Sequence, residues 1–197
     1  MIVDNFTYLR NKLDFSDENM FYMVQLQQRK KDDASFPANN RIVKTYFIDS
    51  LKDYDRLEPE IKRLSDETGA RVYIRLNRRS YEAVALQILK ELAQILQDKN
   101  FQHLKNIVAS AAGKVNSEKE KLWIIDIDNE MSHEELMQFY GFLSELRPLG
   151  IKWKYKVATL NGFHIITTGL DLKTFHDKYP DIEVHKDNPT LLYFKHD

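Results

Sequence analysis

The sequence predicts an α+β protein with two sheet-bearing halves that share one cleft, and three observations carry that prediction. Stretches that alternate in period two, such as Val72, Ile74 and Leu76 against Tyr73 and Arg75, are interspersed with a long stripe at helical spacing. That stripe is Tyr81, Val84, Ala85, Ile88, Leu89, Leu92, Ile95 and Leu96. A polar segment, GKVNSEKEK over 113–121, divides the chain into a unit spanning 1–115 and a unit spanning 120–197.

The first unit opens with a predicted helix near 3–13. Strands follow over 21–31 and 41–49, joined as a long hairpin by the loop DDASFPANN. Ser50 caps the next helix, along which Leu51, Tyr54, Leu57, Ile61 and Leu64 recur at helical spacing. Pro59 is expected to kink that helix or start a new one, and Gly69 ends it. A half-buried strand over 70–76, the amphipathic helix and a shorter helix at 101–112 complete the unit. In the second unit the predicted order is strand (KLWIIDID), helix, two strands (IKWKYKVATL and GFHIITT), short helix (LKTFHDKY) and two late strands (DIEVH and TLLYF). Ser132 and Glu135 form an S-x-x-E capping box ahead of the first of these helices, and Arg147-Pro148-Leu149-Gly150 stops it. A β-α-β-β-α-β order in about 75 residues is the ferredoxin-like pattern that RNA-recognition modules also use.

Composition excludes several classes. With 43% hydrophobic residues, 11 Phe, 10 Tyr and 2 Trp, the chain can build a sizeable core, which rules out intrinsic disorder. No apolar run approaches the roughly 18 residues needed to span a bilayer, and the N-terminus lacks a signal-peptide core, so a cytoplasmic protein with no membrane partner is expected. The absence of cysteine removes disulfides, thiolate metal sites and cysteine nucleophiles together, leaving oxygen and imidazole as the metal ligands. A net charge of −1 argues against coating nucleic acid through bulk charge, while allowing a local basic groove.

Four features carry chemistry. In Leu122-Trp123-Ile124-Ile125-Asp126-Ile127-Asp128 the side chains alternate, so Asp126 and Asp128 leave one face of a strand about 7 Å apart. Paired carboxylates there suit Mg²⁺ or Mn²⁺, which take oxygen ligands and keep waters for a phosphate substrate. Strand-end aspartates also make caps and turns, and Asp53 and Asp55 form a second D-x-D pair. Second, His164 lies between Phe163 and Ile165, two residues after Gly162; it is placed to meet a phosphate or a metal, or to be a core histidine bonded to backbone. Third, Lys152, Lys154 and Lys156 alternate with Trp153, Tyr155 and Val157, as either a phosphate track or a lysine-protected edge strand. Fourth, Arg75, Arg78 and Arg79 run from a strand end into a helix start, which suits a triphosphate or template contact and equally a solvated turn.

Taken in order, the D-x-D strand, the small-residue-x-His element and the stretch DIEVHKDNPTLLYF resemble the catalytic core of the archaeo-eukaryotic primase and primase-polymerase superfamily. The resemblance covers roughly 120–195, with Asp126 and Asp128 as its first motif and Gly162-Phe163-His164 as its second. It implies an N-terminal α/β module packed on an RNA-recognition-like module, in a nucleotidyltransferase of the kind found on phages or mobile elements. By that resemblance Asp181 becomes the third catalytic carboxylate and metal ligand, with Asp187 in reserve. His164, Gly162, Arg75, Arg78 and Arg79 meet the incoming nucleotide, and Lys152, Lys154 and Lys156 meet the nucleic acid. The implied cofactor is Mg²⁺ or Mn²⁺, and the implied partners are single-stranded nucleic acid, nucleoside triphosphates and a helicase. A catalytically inactive nucleic-acid- or protein-binding module of the same fold and a metal-dependent nuclease are the alternatives. The chain departs from the family in having Gly162 where serine is usual, and Pro189, Leu192 and Tyr193 where arginines are expected after Asn188.

Overall fold

The computed structural model describes residues 1–30, 32, 40–128 and 131–195, and within them the chain is a mixed α+β fold with two antiparallel sheets. The first sheet contains β1 (Ile2–Asp4), β2 (Met20–Arg29), β3 (Asn40–Ile48), β4 (Arg71–Ile74) and the two-residue β5 (Arg79–Ser80). The second contains β6 (Trp123–Ile127), β7 (Trp153–Ala158), β8 (Phe163–Thr167) and β9 (Val184–His185). The last strand, β10 (Thr190–Lys195), returns to the first sheet between β1 and β4, giving the order β1-β10-β4-β2-β3 with β5 paired to β2. The sequence places TLLYF with the second unit. Its four consecutive buried residues, Leu191 to Phe194, need cover on both faces, which an interior position in the larger sheet supplies.

Local chemistry accounts for the helices. The N-terminal segment forms β1 and then a short helix α1 (Phe6–Arg10), instead of one helix over 3–13, because Val3 pairs with Phe194 in the sheet. Helix α2 (Leu51–Thr68) starts on the Ser50 side chain, which accepts from the Asp53 N–H, and ends at Gly69 with φ 61°. It runs through Pro59 as one helix. Buried Tyr54 on one side of the proline, and Ile61 and Ser65 on the other, anchor both halves in the core, so packing overrides the local penalty. Helices α3 (Tyr81–Asp98) and α4 (Ile107–Lys114) are linked by a 3₁₀ turn over Phe101–Asn106. Helix α5 (His133–Glu145) carries the full capping box of Ser132 and Glu135, and α6 (Leu172–Lys178) is capped by Asp171. No helix among the described residues is long and apolar enough to cross a membrane.

That capping box yields a direct prediction. Ser132→Ala should lower stability by about 1 kcal/mol, read as a lower urea midpoint at unchanged slope. Hydrogen bonds from Ser132 hold the Glu135 carboxyl below its ordinary pKa, so its support of the helix is present above the unfolded carboxylate pKa and is lost as pH falls through the depressed folded value.

Packing makes the two sheets one body. Successive side chains of β2 face opposite ways: Val24 and Leu26 join Val72, Ile74 and Leu192 in the main core, while Phe21 and Met23 pack against Val84, Ala111 and Ala112. Ile124, Val157 and Ile166 of the second sheet enter the main core. Their strand neighbours Ile125, Ile127 and Ile165 turn the other way, onto Phe139, Leu143 and Phe175 of the helices α5 and α6. The period-two pattern of β6 therefore sends its isoleucines to two different cores, and sends Asp126 to the side that faces the first sheet.

Candidate functional site

Beyond the shared core the two sheets diverge around a polar cleft of about 460 Å³. One wall comes from the second sheet. Asp126 on β6 lies directly across from His164 on β8 in the antiparallel register, and His164 Nε2 stands 3.3 Å from Asp126 Oδ1. The other ring nitrogen, Nδ1, is 2.7 Å from the hydroxyl of Thr190, which is fully buried at the start of β10. The imidazole is thus held at both ends, by a carboxylate at the cleft and by a hydroxyl of the first sheet, and its side chain is 12% exposed. Asp128 lines the same cleft at the end of β6, together with Thr159 and Asn161 of the β7–β8 turn.

The opposite wall belongs to the first sheet, where Gln27, Arg29, Arg71 and Tyr73 line the cleft. Arg29 donates to the Tyr73 hydroxyl at 3.0 Å. Arg71 is clamped in a two-point ion pair to Asp32 and lies over the Phe194 ring. Carboxylates and imidazole on one side therefore face guanidinium groups on the other. Such a cleft can bind a molecule carrying both cationic and anionic character, or an anion together with its cation.

Of the residues singled out from sequence, Asp126, Asp128 and His164 meet in this cleft. Gly162 serves a different purpose from ligand approach. A Cβ built there would stand 2.0 Å from the Ile127 carbonyl oxygen, so the residue must be glycine for the β7–β8 turn to lie against the end of β6. Asp181 is exposed in the turn before β9 and is not among the residues lining the cleft; the acidic residue of this stretch that does line it is Glu183. Glu183 O accepts from the Asp126 N–H at 3.0 Å, and its carboxylate lies 3.2 Å from His185 Nε2. Glu183 and His185 lie within the DIEVH stretch but carry no site role in the sequence reading; the signal for them is alternation over 183–185, which puts both on one side of the chain.

The remaining cations have structural partners. Arg79 is fully buried and donates to Asp187 Oδ2 at 2.6 Å, to the Ala112 carbonyl at 2.9 Å and to the Asn77 carbonyl. Asn77 in turn exchanges hydrogen bonds with the backbone of Leu122 and donates to Asp187. Arg75 donates to the Asp187 carbonyl, and burial followed by the nearby Arg79 charge pushes its pKa down against the pull of Asp187. Arg78 pairs with Glu118 at 2.6 Å and Asp14 at 2.9 Å. The reserve ligand Asp187 is thus engaged in tying the β9–β10 loop to the first unit, and these three arginines lie outside the cleft lining.

Lys152 is buried rather than part of a surface track, its ammonium donating to the carbonyls of Leu146 and Gly150 at the end of α5. A register shift between Trp153 and Tyr155 breaks the simple alternation expected there. Lys154 is exposed, 3.9 Å from Glu120, and Lys156 lies over the Phe163 ring.

Among the described residues, no group of three or more acidic, histidine or cysteine side chains is gathered closely enough to hold a metal ion by itself. The two carboxylates Asp126 and Asp128 nevertheless fit Mg²⁺ or Mn²⁺ by donor chemistry, because such ions take one or two carboxylates and complete their shell with water and substrate phosphate. No protein-family model matches the chain, and no curated protein or solved structure is detectably similar to it.

Proposed function

We propose that the cleft is the site of a primase-polymerase-like nucleotidyltransferase acting on a single-stranded template. The supporting observation is that Asp126, Asp128 and His164 on one wall face Arg29 and Arg71 on the other. Residues 1–115 are read as the N-terminal α/β module and 120–197 as the RNA-recognition-like module. The β7-β8-β6-β9 order, with α5 and α6 against one face, supports the second reading.

In the transfer, the 3′-hydroxyl gives up its proton to water and its oxygen bonds to the α-phosphorus of a nucleoside triphosphate. The bond from that phosphorus to the bridging oxygen breaks, and pyrophosphate leaves. A bound divalent ion would supply charge neutralisation at the phosphates, held by Asp126 and Asp128. The chain's own residues do the rest. The buried Thr190 fixes the His164 ring, so that its Nε2 edge stays at the cleft beside Asp126. Arg29, positioned by Tyr73, offers a guanidinium fork to phosphate oxygens from the other side. Positioning and charge are what phosphoryl transfer asks of a protein.

The test is incubation with a single-stranded template, Mn²⁺ and labelled nucleotides, with and without a primer. Extension by the wild type that falls at least about 10²-fold in Asp126→Ala/Asp128→Ala supports the reading. Template shortening that vanishes in the same variant makes the protein a nuclease instead. Salt-sensitive binding with neither product makes it a binding module, a reading favoured by the engagement of Arg75, Arg78 and Arg79 in ion pairs. Neither product nor binding overturns all three.

A further inference from the structure

We infer that the outer face of α3 is a self-association surface, on which a second copy of the chain docks its own α3 in antiparallel orientation. Helix α3 buries Val84 and Ile95 against the first unit. On the opposite side it carries Leu86, Leu89, Ala93 and Leu96, all exposed, the leucines at 54%, 62% and 57%. The spacings are three, four and three residues, the a/d repeat of a coiled-coil seam, whose holes accept the knobs of another helix. A solvated helix has no need for a second apolar stripe at that spacing, and exposed apolar patches of this kind mark interaction sites.

The pattern is self-complementary. A two-fold axis at Glu91 brings Leu86 of one copy opposite Leu96 of the other and Leu89 opposite Ala93, so each leucine meets an apolar partner across four layers. At each end of the seam Glu82 comes beside the other copy's Lys99, an opposite-charge pair. Parallel docking would instead set Glu82 against Glu82 and Lys99 against Lys99, which disfavours it. Lys90 flanks the middle of the seam, where its four-carbon stem lets the ammonium turn outward to water. Just past the helix, exposed Phe101 and Leu104 supply further apolar surface at 53% and 42%.

Sedimentation equilibrium at up to about 100 µM is expected to give twice the chain mass for the wild type and the single-chain mass for Leu89→Glu. Because Leu89 is exposed, the variant should keep the wild-type circular dichroism spectrum. The chain has no cysteine, which allows a second, orientation-specific test. An equimolar mixture of Leu86→Cys and Leu96→Cys proteins, oxidised mildly, should form the mixed disulfide in clear excess over either symmetric one. A monomeric wild type overturns the inference, and so does a dimer that survives Leu89→Glu and marks another face. A predominance of the symmetric Leu86→Cys disulfide overturns the antiparallel docking.

Discussion

Replacing Asp187 by alanine is expected to destabilise the protein by about 3–5 kcal/mol, the range seen when one partner of a buried ion pair is removed and the other charge stays behind. Arg79 is fully buried, and Asp187 Oδ2 at 2.6 Å is its anionic partner. Its other hydrogen bonds go to neutral carbonyls of Ala112 and Asn77, which orient the guanidinium and leave its charge uncompensated. The same carboxylate holds Asn77, whose amide pairs with the backbone of Leu122 just before β6. Losing Asp187 therefore also loosens the approach to the strand that carries Asp126. Asp187→Asn keeps an acceptor for Asn77 and should fall between wild type and Asp187→Ala. Arg79→Met/Asp187→Ala should recover part of the loss, since the buried charge goes with its partner. Urea unfolding of wild type, Asp187→Ala, Arg79→Met and the double variant measures the cycle, and a loss below about 1 kcal/mol in Asp187→Ala would remove Asp187 from this structural role. Any Mn²⁺-dependent rise in melting temperature should survive in Asp187→Ala and disappear in Asp126→Asn.

What could be read from the sequence follows the range over which its patterns act. Period-two alternation operates within five residues, and it correctly sends Asp126 and Asp128 to the face opposite Ile125 and Ile127. Capping is equally local, so Ser50 and Ser132 are legible as helix starts. Partners distant in the chain are not. Arg78 and Arg79 look like a phosphate-binding cluster until Glu118 and Asp187, 40 and 108 residues away, are seen to neutralise them. The wall formed by Arg29, Arg71 and Tyr73 belongs to strands whose facing surface comes from the other unit, so no local pattern marks it. Thr190 illustrates both limits: it is an ordinary strand-start residue in sequence, and only the return of β10 to the first sheet puts its hydroxyl on His164. Lys152 fails differently. Its alternation with Trp153 and Tyr155 is genuine in sequence, and the bulge in β7 breaks it.

The same glycine-to-alanine substitution should have opposite effects at two positions of the second unit. At Gly162 the new methyl would meet the Ile127 carbonyl oxygen at 2.0 Å and the Asp128 carbonyl carbon at 3.1 Å. Both are backbone atoms and neither can swing aside, so either the turn or the end of β6 must move. Overpacking of this kind typically costs about 1–3 kcal/mol, and a contact this short belongs at or above the top of that range. Displacement of β6 shifts Asp128 relative to Asp126 and His164, so Gly162→Ala should impair the cleft even in the fraction that stays folded. Serine adds its Cβ in the same place, so Gly162→Ser should be at least as damaging. This chain thus requires glycine at position 162. At Gly141, on the exposed surface of α5, nothing lies within 4 Å of an added Cβ and φ is ordinary for a helix. Alanine there restricts the unfolded chain and improves helix propensity, so Gly141→Ala should stabilise by about 0.4–1 kcal/mol. Thermal and urea unfolding of the two variants reads both signs. A Gly162→Ala protein as stable as Gly141→Ala would mean that the turn does not press against Ile127 in solution.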